Sequence, residues 1–315
     1  LNNKLDHLQQ EAQLYFKRDL TCRQNRPSVW CLPFDYDKEA EPWKSRHIAN
    51  STLPWYYHFE FYIFEVQEVN DKKQTVALDM YFMVKWFEPR IKINLTAAEW
   101  DDADDITGGL VFIPIDDLKY FWYPDIEIYG MKIYQSKKVL KQMASFKVNR
   151  NQLLRYSARV NIVISCQMDF ARYPLDSHEC PLRAGSYYNP QDILNCSSEV
   201  DYQRERQRIL QYIIGIEKLP PKYHVFKVSG LYYATCGFNI ILHRTRMQTL
   251  FQVYLTSSLF VIVSWVSFII KPDVVPVRMG FLVPIFLVLI NIFNGLKPDT
   301  LVSTSLIPVD LYSFV

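Results

Sequence analysis

The charges of this 315-residue chain are confined almost entirely to its front, and that partition limits what the chain can fold into more than any motif does. Among 35 Lys and Arg and 33 Asp and Glu, only Lys271, Asp273, Arg278, Lys297, Asp299 and Asp310 lie beyond position 246. From Leu250 to Ile270 the sequence LFQVYLTSSLFVIVSWVSFII runs 21 residues without a charge, and a helix that crosses a bilayer needs about 20. A second uncharged run of 18 extends from Met279 to Leu296. The two are separated only by KPDVVPVR, and two such runs offer no amphipathic face to pack on a soluble domain. Membrane helices are therefore predicted over 247–270 and 276–297. The apolar segment 301–315 is too short to cross and is expected to begin a third span. The N-terminus lacks the charged-then-apolar form of a secretory signal, as expected of a mature chain.

The front reads differently. Leu1, Leu5, Leu8, Ala12 and Tyr15 share one face of a short amphipathic helix. Beyond it the period changes to two: in WYYHFEFYIFEVQEV, Phe59, Phe61 and Ile63 alternate with His58, Glu60 and Tyr62, and VALDMYFMVKW, RVNIVIS and YYATCGFNIIL repeat the pattern. With 21 Tyr and 20 Phe against 9 Gly, the composition suits aromatic-rich strands rather than a glycine-rich nucleotide fold. The expected fold is an all-β, immunoglobulin-like antiparallel sandwich over 1–246, opened by the short helix and followed by an α-helical membrane domain over 247–315.

Three sequons, at Asn50, Asn94 and Asn195, and all six cysteines lie in the front, which fits a glycosylated domain in an oxidising compartment. Six cysteines allow roughly 15 pairings. We favour the sequential set, Cys22 with Cys31, Cys166 with Cys180 and Cys196 with Cys236. The near-balanced charge of +2 excludes a disordered chain and a basic nucleic-acid binder. No CxxC pair, HExxH helix, GxSxG or P-loop occurs, and the histidines at 7, 47, 58, 178, 224 and 243 show no ligand or triad spacing. Neither an enzyme nor a metal or organic cofactor is indicated.

Between Cys166 and Cys180 lie 13 residues that include Phe170, Tyr173-Pro174 and Asp176. A cysteine pair enclosing an aromatic-Pro-x-Asp core resembles the signature loop of the Cys-loop receptors, the pentameric ligand-gated ion channels. Trp122-Tyr123-Pro124-Asp125 is similar to the family's Trp-x-Pro-Asp element, Trp86 to its Trp-x-Asp segment (with Glu88 and Pro89 departing), and Arg244 to the pre-membrane arginine. The first apolar run departs by having no Pro in YLTSS. The resemblance implies a multi-pass plasma-membrane subunit in contact with lipid, its N-terminal domain outside the cell. It would assemble as a homo- or hetero-pentamer opened by a small molecule, for which a cationic amine is a candidate.

By that resemblance the agonist sits between subunits in an aromatic box. The positions that match are Tyr129, Tyr187, Tyr232 and Tyr233 on one face and Tyr81 on the other. Met83 occupies a position where some members that recognise a carboxylate carry Arg, and Arg159 aligns with the same region. Coupling to the pore would use Asp176 and Tyr173-Pro174 of the loop, the EVNDKKQ turn (Glu68, Asp71), Arg244 and the Lys297-Pro298-Asp299 linker, with a carboxylate–arginine pair among Asp176, Glu68 and Arg244. In the second run Gly280, Pro284, Leu287, Asn291 and Asn294 fall on one helical face, the pore-lining candidate, with Leu287 at the gate position. Arg278 follows Pro276-Val277 rather than Glu, an arrangement that resembles anion channels, although Asp273 is close. The leading expectation is an anion-selective channel. A cation-selective member and a receptor that binds without conducting are the alternatives.

Overall fold

The computed structural model describes residues 30–32, 36–44, 55–93, 109–173, 175–202, 207–245, 247, 250–271 and 275–296. The expected N-terminal helix, Cys22, Asn50, Asn94, Pro174, the Lys297-Pro298-Asp299 linker and the third apolar segment lie outside the described residues, as do the side chains of Cys31 and Asn294. Fifteen strands are described in chain order: β1 (Trp30–Cys31), β2 (Trp55–Asn70), β3 (Thr75–Phe87), β4 (Lys92–Ile93), β5 (Leu110–Ile113), β6 (Ile126–Tyr129), β7 (Met131–Ser136), β8 (Ala144–Asn149), β9 (Leu153–Ser165), β10 (Ser177–Ser186), β11 (Leu194–Tyr202), β12 (Gln207–Ile209), β13 (Tyr212–Lys218), β14 (Val225–Val228) and β15 (Leu231–Arg244).

They form two large sheets. One runs β11-β2-β3-β9-β8-β5 with β7 also on β9; the other runs β12-β13-β15-β10-β6 with β14 also on β15. Pairing is antiparallel except between β2 and β11. The alternation read from the sequence decides which side is wet. Tyr57, Phe59, Phe61 and Ile63 of β2 are buried while His58, Glu60 and Tyr62 lie on the opposite face. On β3 the buried set is Val76, Leu78, Met80, Phe82, Val84 and Trp86. The facing sheet contributes Cys180, Leu182 and Ala184 of β10 and Phe238, Ile240 and Leu242 of β15. Phe61 meets Phe238 edge to face at 5.1 Å across the sandwich. Each buried side chain of this size contributes about 1.5–3 kcal/mol.

Two disulfides tie the sheets together. Cys166, just after β9, joins Cys180 in β10, and Cys196 of β11 joins Cys236 of β15. With loops of 14 and 40 residues, chain-entropy reasoning gives about 3 and about 4 kcal/mol respectively. Glu88, where the sequence departs from the family pattern, is fully buried and binds Arg90 through Nη2 at 2.6 Å. Arg90 Nη1 in turn donates to the carbonyls of Asp37 and Ala40, which fastens that segment onto the sandwich.

The described part of the first helix expected over 247–270 changes its hydrogen-bond period along its length while the backbone at its junctions stays right-handed helical. It is divided into a π-helical turn at Leu250–Leu255, helix α1 (Thr256–Ser264) and a 3-10 turn at Trp265–Phe268. The cause lies in the hydroxyls of TSS: Ser257 and Ser258 donate to the Tyr254 carbonyl at 3.2 and 2.6 Å, and Thr256 donates to Phe251 at 3.3 Å. Such back-bonding competes with the regular ladder. Helix α2 (Val275–Leu296) contains Pro284. Its described side chains omit Phe281 and stop at Asn291, and among the described residues no helix is long and apolar enough to cross a membrane.

Candidate ligand-binding site

Of the tyrosines predicted for one side of the ligand box, Tyr129 and Tyr233 share the side of the six-stranded sheet that Phe226 occupies, whereas Tyr232, one residue along β15, faces the other way beside Lys227. Tyr129 ends β6, which pairs with β10. Asp125, from the Trp-x-Pro-Asp element, organises the turn that carries Tyr187. Its carboxylate accepts from Ser186 Oγ at 2.9 Å and from the Tyr188 amide at 2.6 Å, and its carbonyl accepts from the Tyr187 amide at 3.1 Å. The tryptophan of that element, Trp122, is buried in the core instead. Tyr232 and Tyr233 follow the two-residue turn Ser229-Gly230, with φ of 49° and 87°. Two positive φ values make the tight hairpin between β14 and β15, and Gly takes the second without a Cβ clash. Gly185 has a different reason: a Cβ there would stand 2.5 Å from the Ala234 carbonyl, so its absence lets β10 approach β15 beside Tyr129.

Tyr187 and Tyr232 are 73% and 51% exposed, so both present open aromatic faces. Tyr129 is more enclosed. Burial and the nearby Glu127 push its hydroxyl up to about 12 despite Arg183, so it stays a donor at neutral pH. Its ring lies 5.0 Å from Phe226, which is the cross-strand partner of Tyr233.

Sequence reasoning missed the group at the centre. The Arg183 guanidinium on β10 lies 5.6 Å from the ring of Tyr129, 5.7 Å from Tyr223 and 5.5 Å from Phe226. Each such contact is worth roughly 0.5–2 kcal/mol. The signal existed only in strand alternation, which puts Arg183 two residues from Gly185 on β10, opposite Tyr129 in register.

Tyr81, Met83 and Arg159 lie elsewhere, on β3 and β9 of the seven-stranded sheet, where Tyr81 pairs with Arg159 and Met83 with Ser157. Arg159 is already engaged by the buried Asp79, at 3.0 Å through Nη2 and 3.3 Å through Nε, and it stacks 4.5 Å over Phe64. Burial alone raises the Asp79 carboxyl, but hydrogen bonds from Arg159 and Lys137 hold it below the usual carboxylate range. Met83 is not remote from a guanidinium: Arg155 Nη2 lies 3.0 Å from its sulfur and 3.1 Å from Glu60. Within one chain the two predicted faces of the box therefore sit on different sheets.

At the far end of β15 a second cluster forms. Arg244 Nε binds Asp176 at 2.8 Å, its Nη2 binds Asp71 at 3.1 Å, and it also donates to the Tyr212 hydroxyl. His178 Nε2 lies 2.7 Å from the other oxygen of Asp176. Burial favours the neutral acid, yet hydrogen bonds from His178 and Arg244, with the charge of Arg244, hold the Asp176 carboxyl below its usual value. The second carboxylate is Asp71 and not Glu68, which instead accepts from Asn70 at 2.9 Å. In the tail, Arg278 Nε reaches back to the Ile270 carbonyl at 3.1 Å, and Leu287 is exposed.

This domain matches the model of the family described as "Neurotransmitter-gated ion-channel ligand binding domain" over residues 32–244. The chain belongs to that family. It is a family of receptor channels and not of enzymes. Among curated proteins, the chain is 24% identical over 263 residues to the glutamate-gated chloride channel of Drosophila melanogaster, covering 83% of this chain and 55% of that one. It is 24% identical to glycine receptor subunit beta-type 4 of Caenorhabditis elegans, over 81% of this chain and 51% of the relative. It is 28% identical to the human gamma-aminobutyric acid receptor subunit rho-1, over 63% and 42%. The chain thus spans about half the length of the curated relatives it matches.

Proposed function

We propose that the chain is a subunit of a pentameric, anion-selective channel of the plasma membrane, opened by a small amino-acid-like ligand bound between subunits. The sandwich lies outside the cell, and the apolar runs from position 247 onward cross the membrane. The observation that carries this reading is Arg183 among Tyr129, Tyr223 and Phe226, inside a domain matched to the ligand-binding family. A guanidinium held by aromatic faces binds a carboxylate in fixed geometry. The exposed face of Tyr187 attracts an ammonium. One zwitterion satisfies both, and glutamate, glycine and gamma-aminobutyric acid, which name the relatives, are all molecules of that kind.

The complementary face is supplied by Tyr81, Met83 and Arg159 of the neighbouring subunit. With Arg159 committed to Asp79, the free carboxylate receptor on that face is weak, which leaves Arg183 as the main one. Selectivity for anions draws on Arg278 without an adjacent Glu and on the name of the chloride-channel relative. Gly280, Pro284, Leu287, Asn291 and Asn294 line the pore. The test is Arg183→Gln in the full-length subunit. The half-maximal concentration of an amino-acid agonist rises at least about tenfold, equivalent to about 1.4 kcal/mol, while the maximal current persists. An unchanged dose–response curve contradicts the assignment. A second reading, binding without conduction, rests on Pro284 inside α2, which removes a helical hydrogen bond within the pore-lining segment.

A further inference from the structure

The parallel pairing of β2 with β11 places His58 beside Ser197 and Glu60 beside Glu199. All four belong to the strand face opposite the core. His58 Nε2 lies 3.7 Å from Glu60 Oε1 and 3.9 Å from Glu199 Oε2, and the three ligating atoms are within 4.8 Å of one another. We propose that His58, Glu60 and Glu199 form a Zn²⁺ site on the outer surface of the sandwich.

The spacing fits the metal. Nitrogen and oxygen ligands at about 2.0–2.2 Å from a tetrahedral Zn²⁺ stand about 3.4 Å apart, so His58 is close to ligand spacing from both carboxylates, and the exposed Glu199 side chain moves to complete the third edge. His58 Nδ1 is 2.8 Å from Ser197 Oγ. When Nδ1–H donates to that hydroxyl, the Nε2 lone pair is directed at the two carboxylates, the outer-shell arrangement found around zinc-bound imidazoles. Glu199 is 77% exposed, against 29% for His58 and 19% for Glu60, so a hydrated ion has access and water can complete the coordination. One imidazole with two carboxylates is too few oxygens for Ca²⁺ and suits Zn²⁺.

Two cations already neutralise Glu60. Lys85 Nζ holds Oε1 and Arg155 Nη2 holds Oε2 at 3.1 Å. Zn²⁺ therefore enters by displacing Lys85 from Oε1, and Lys85 sets the affinity through repulsion of the ion. No sequence motif announces the site, because its two halves are 139 residues apart and meet only through strand register.

Isothermal titration of the purified full chain with ZnCl₂, and separately with CaCl₂, tests the assignment. One saturable Zn²⁺ site per chain is expected, with no comparable heat from Ca²⁺. Glu199→Gln, an exposed change that leaves the fold intact, weakens Zn²⁺ binding at least about tenfold, as does His58→Ala. Lys85→Gln tightens it about threefold. Absence of saturable Zn²⁺ binding overturns the proposal, and so does an affinity that neither Glu199→Gln nor His58→Ala changes.

Discussion

Strand β15 carries a different kind of chemistry at each end. At its start, Tyr232 is half exposed, and its neighbour Tyr233 pairs with Phe226, one of the three rings around Arg183. At its end, about 40 Å away at about 3.3 Å per residue, the Arg244 side chain is 1% exposed and bound by Asp176, Asp71 and Tyr212. The first end is incomplete, held mostly through backbone and ring contacts, as suits a surface finished by a ligand and a neighbouring subunit. The second is closed. Between them β15 pairs first with β14, then with β10, and with both β10 and β13 from Phe238 to His243, so the half nearer Arg244 is held on both edges. Six residues after Arg244 the apolar tail begins, at Leu250. On the proposed reading, a change at the tyrosines reaches a buried ionic cluster next to the apolar tail, and that cluster acts as a hinge between ligand and pore if it has two arrangements.

The largest expected effect of breaking this contrast is at the closed end. Arg244→Gln leaves Asp176 and Asp71 without their cation and costs about 3–5 kcal/mol, read as a lowered unfolding midpoint together with lost surface expression or gating. If expression, stability and gating all survive, the cluster is not a hinge. Removing the sheet-to-sheet tether with paired Cys166→Ser and Cys180→Ser is next, at about 3 kcal/mol, measured by denaturant titration.

Acid sharpens the comparison further. Asp176 is held below its usual range, so its contribution to stability is complete above the unfolded value of about 4 and is lost as the pH falls through the lower folded value. Thermal melts between pH 5 and pH 2 should show that loss, and Asp176→Asn should flatten it. At the open end, Tyr187→Ala should move stability by less than about 0.5 kcal/mol while raising the half-maximal ligand concentration about tenfold. A stability loss comparable to that of Arg244→Gln would mean that Tyr187 is a packing residue.

Much of the sandwich was legible because alternation is a local signal. His58, Glu60 and Tyr62 fell on the wet face as read, and the pattern failed only past Ile63, where two bulges shift the register of β2 against β3. The carboxylate–arginine pair was legible in kind, but its second acid was not. The EVNDKKQ turn offers Glu68 and Asp71, and only the fold shows that Asp71 reaches Gln211, Tyr212 and Arg244 while Glu68 turns outward. Arg183 and the His58 cluster were invisible for one physical reason: each depends on which residue a neighbouring strand places opposite, a non-local fact. The change of period within the first apolar run was not legible, because hydropathy does not register the serine and threonine hydroxyls that rebond its backbone.

The central claim, a ligand-gated anion channel, is tested most directly by expressing the full-length subunit in oocytes and measuring the reversal potential of amino-acid-evoked current under ion substitution. The account predicts a current whose reversal follows chloride and ignores sodium. A reversal that follows sodium, or saturable ligand binding with no current, contradicts it.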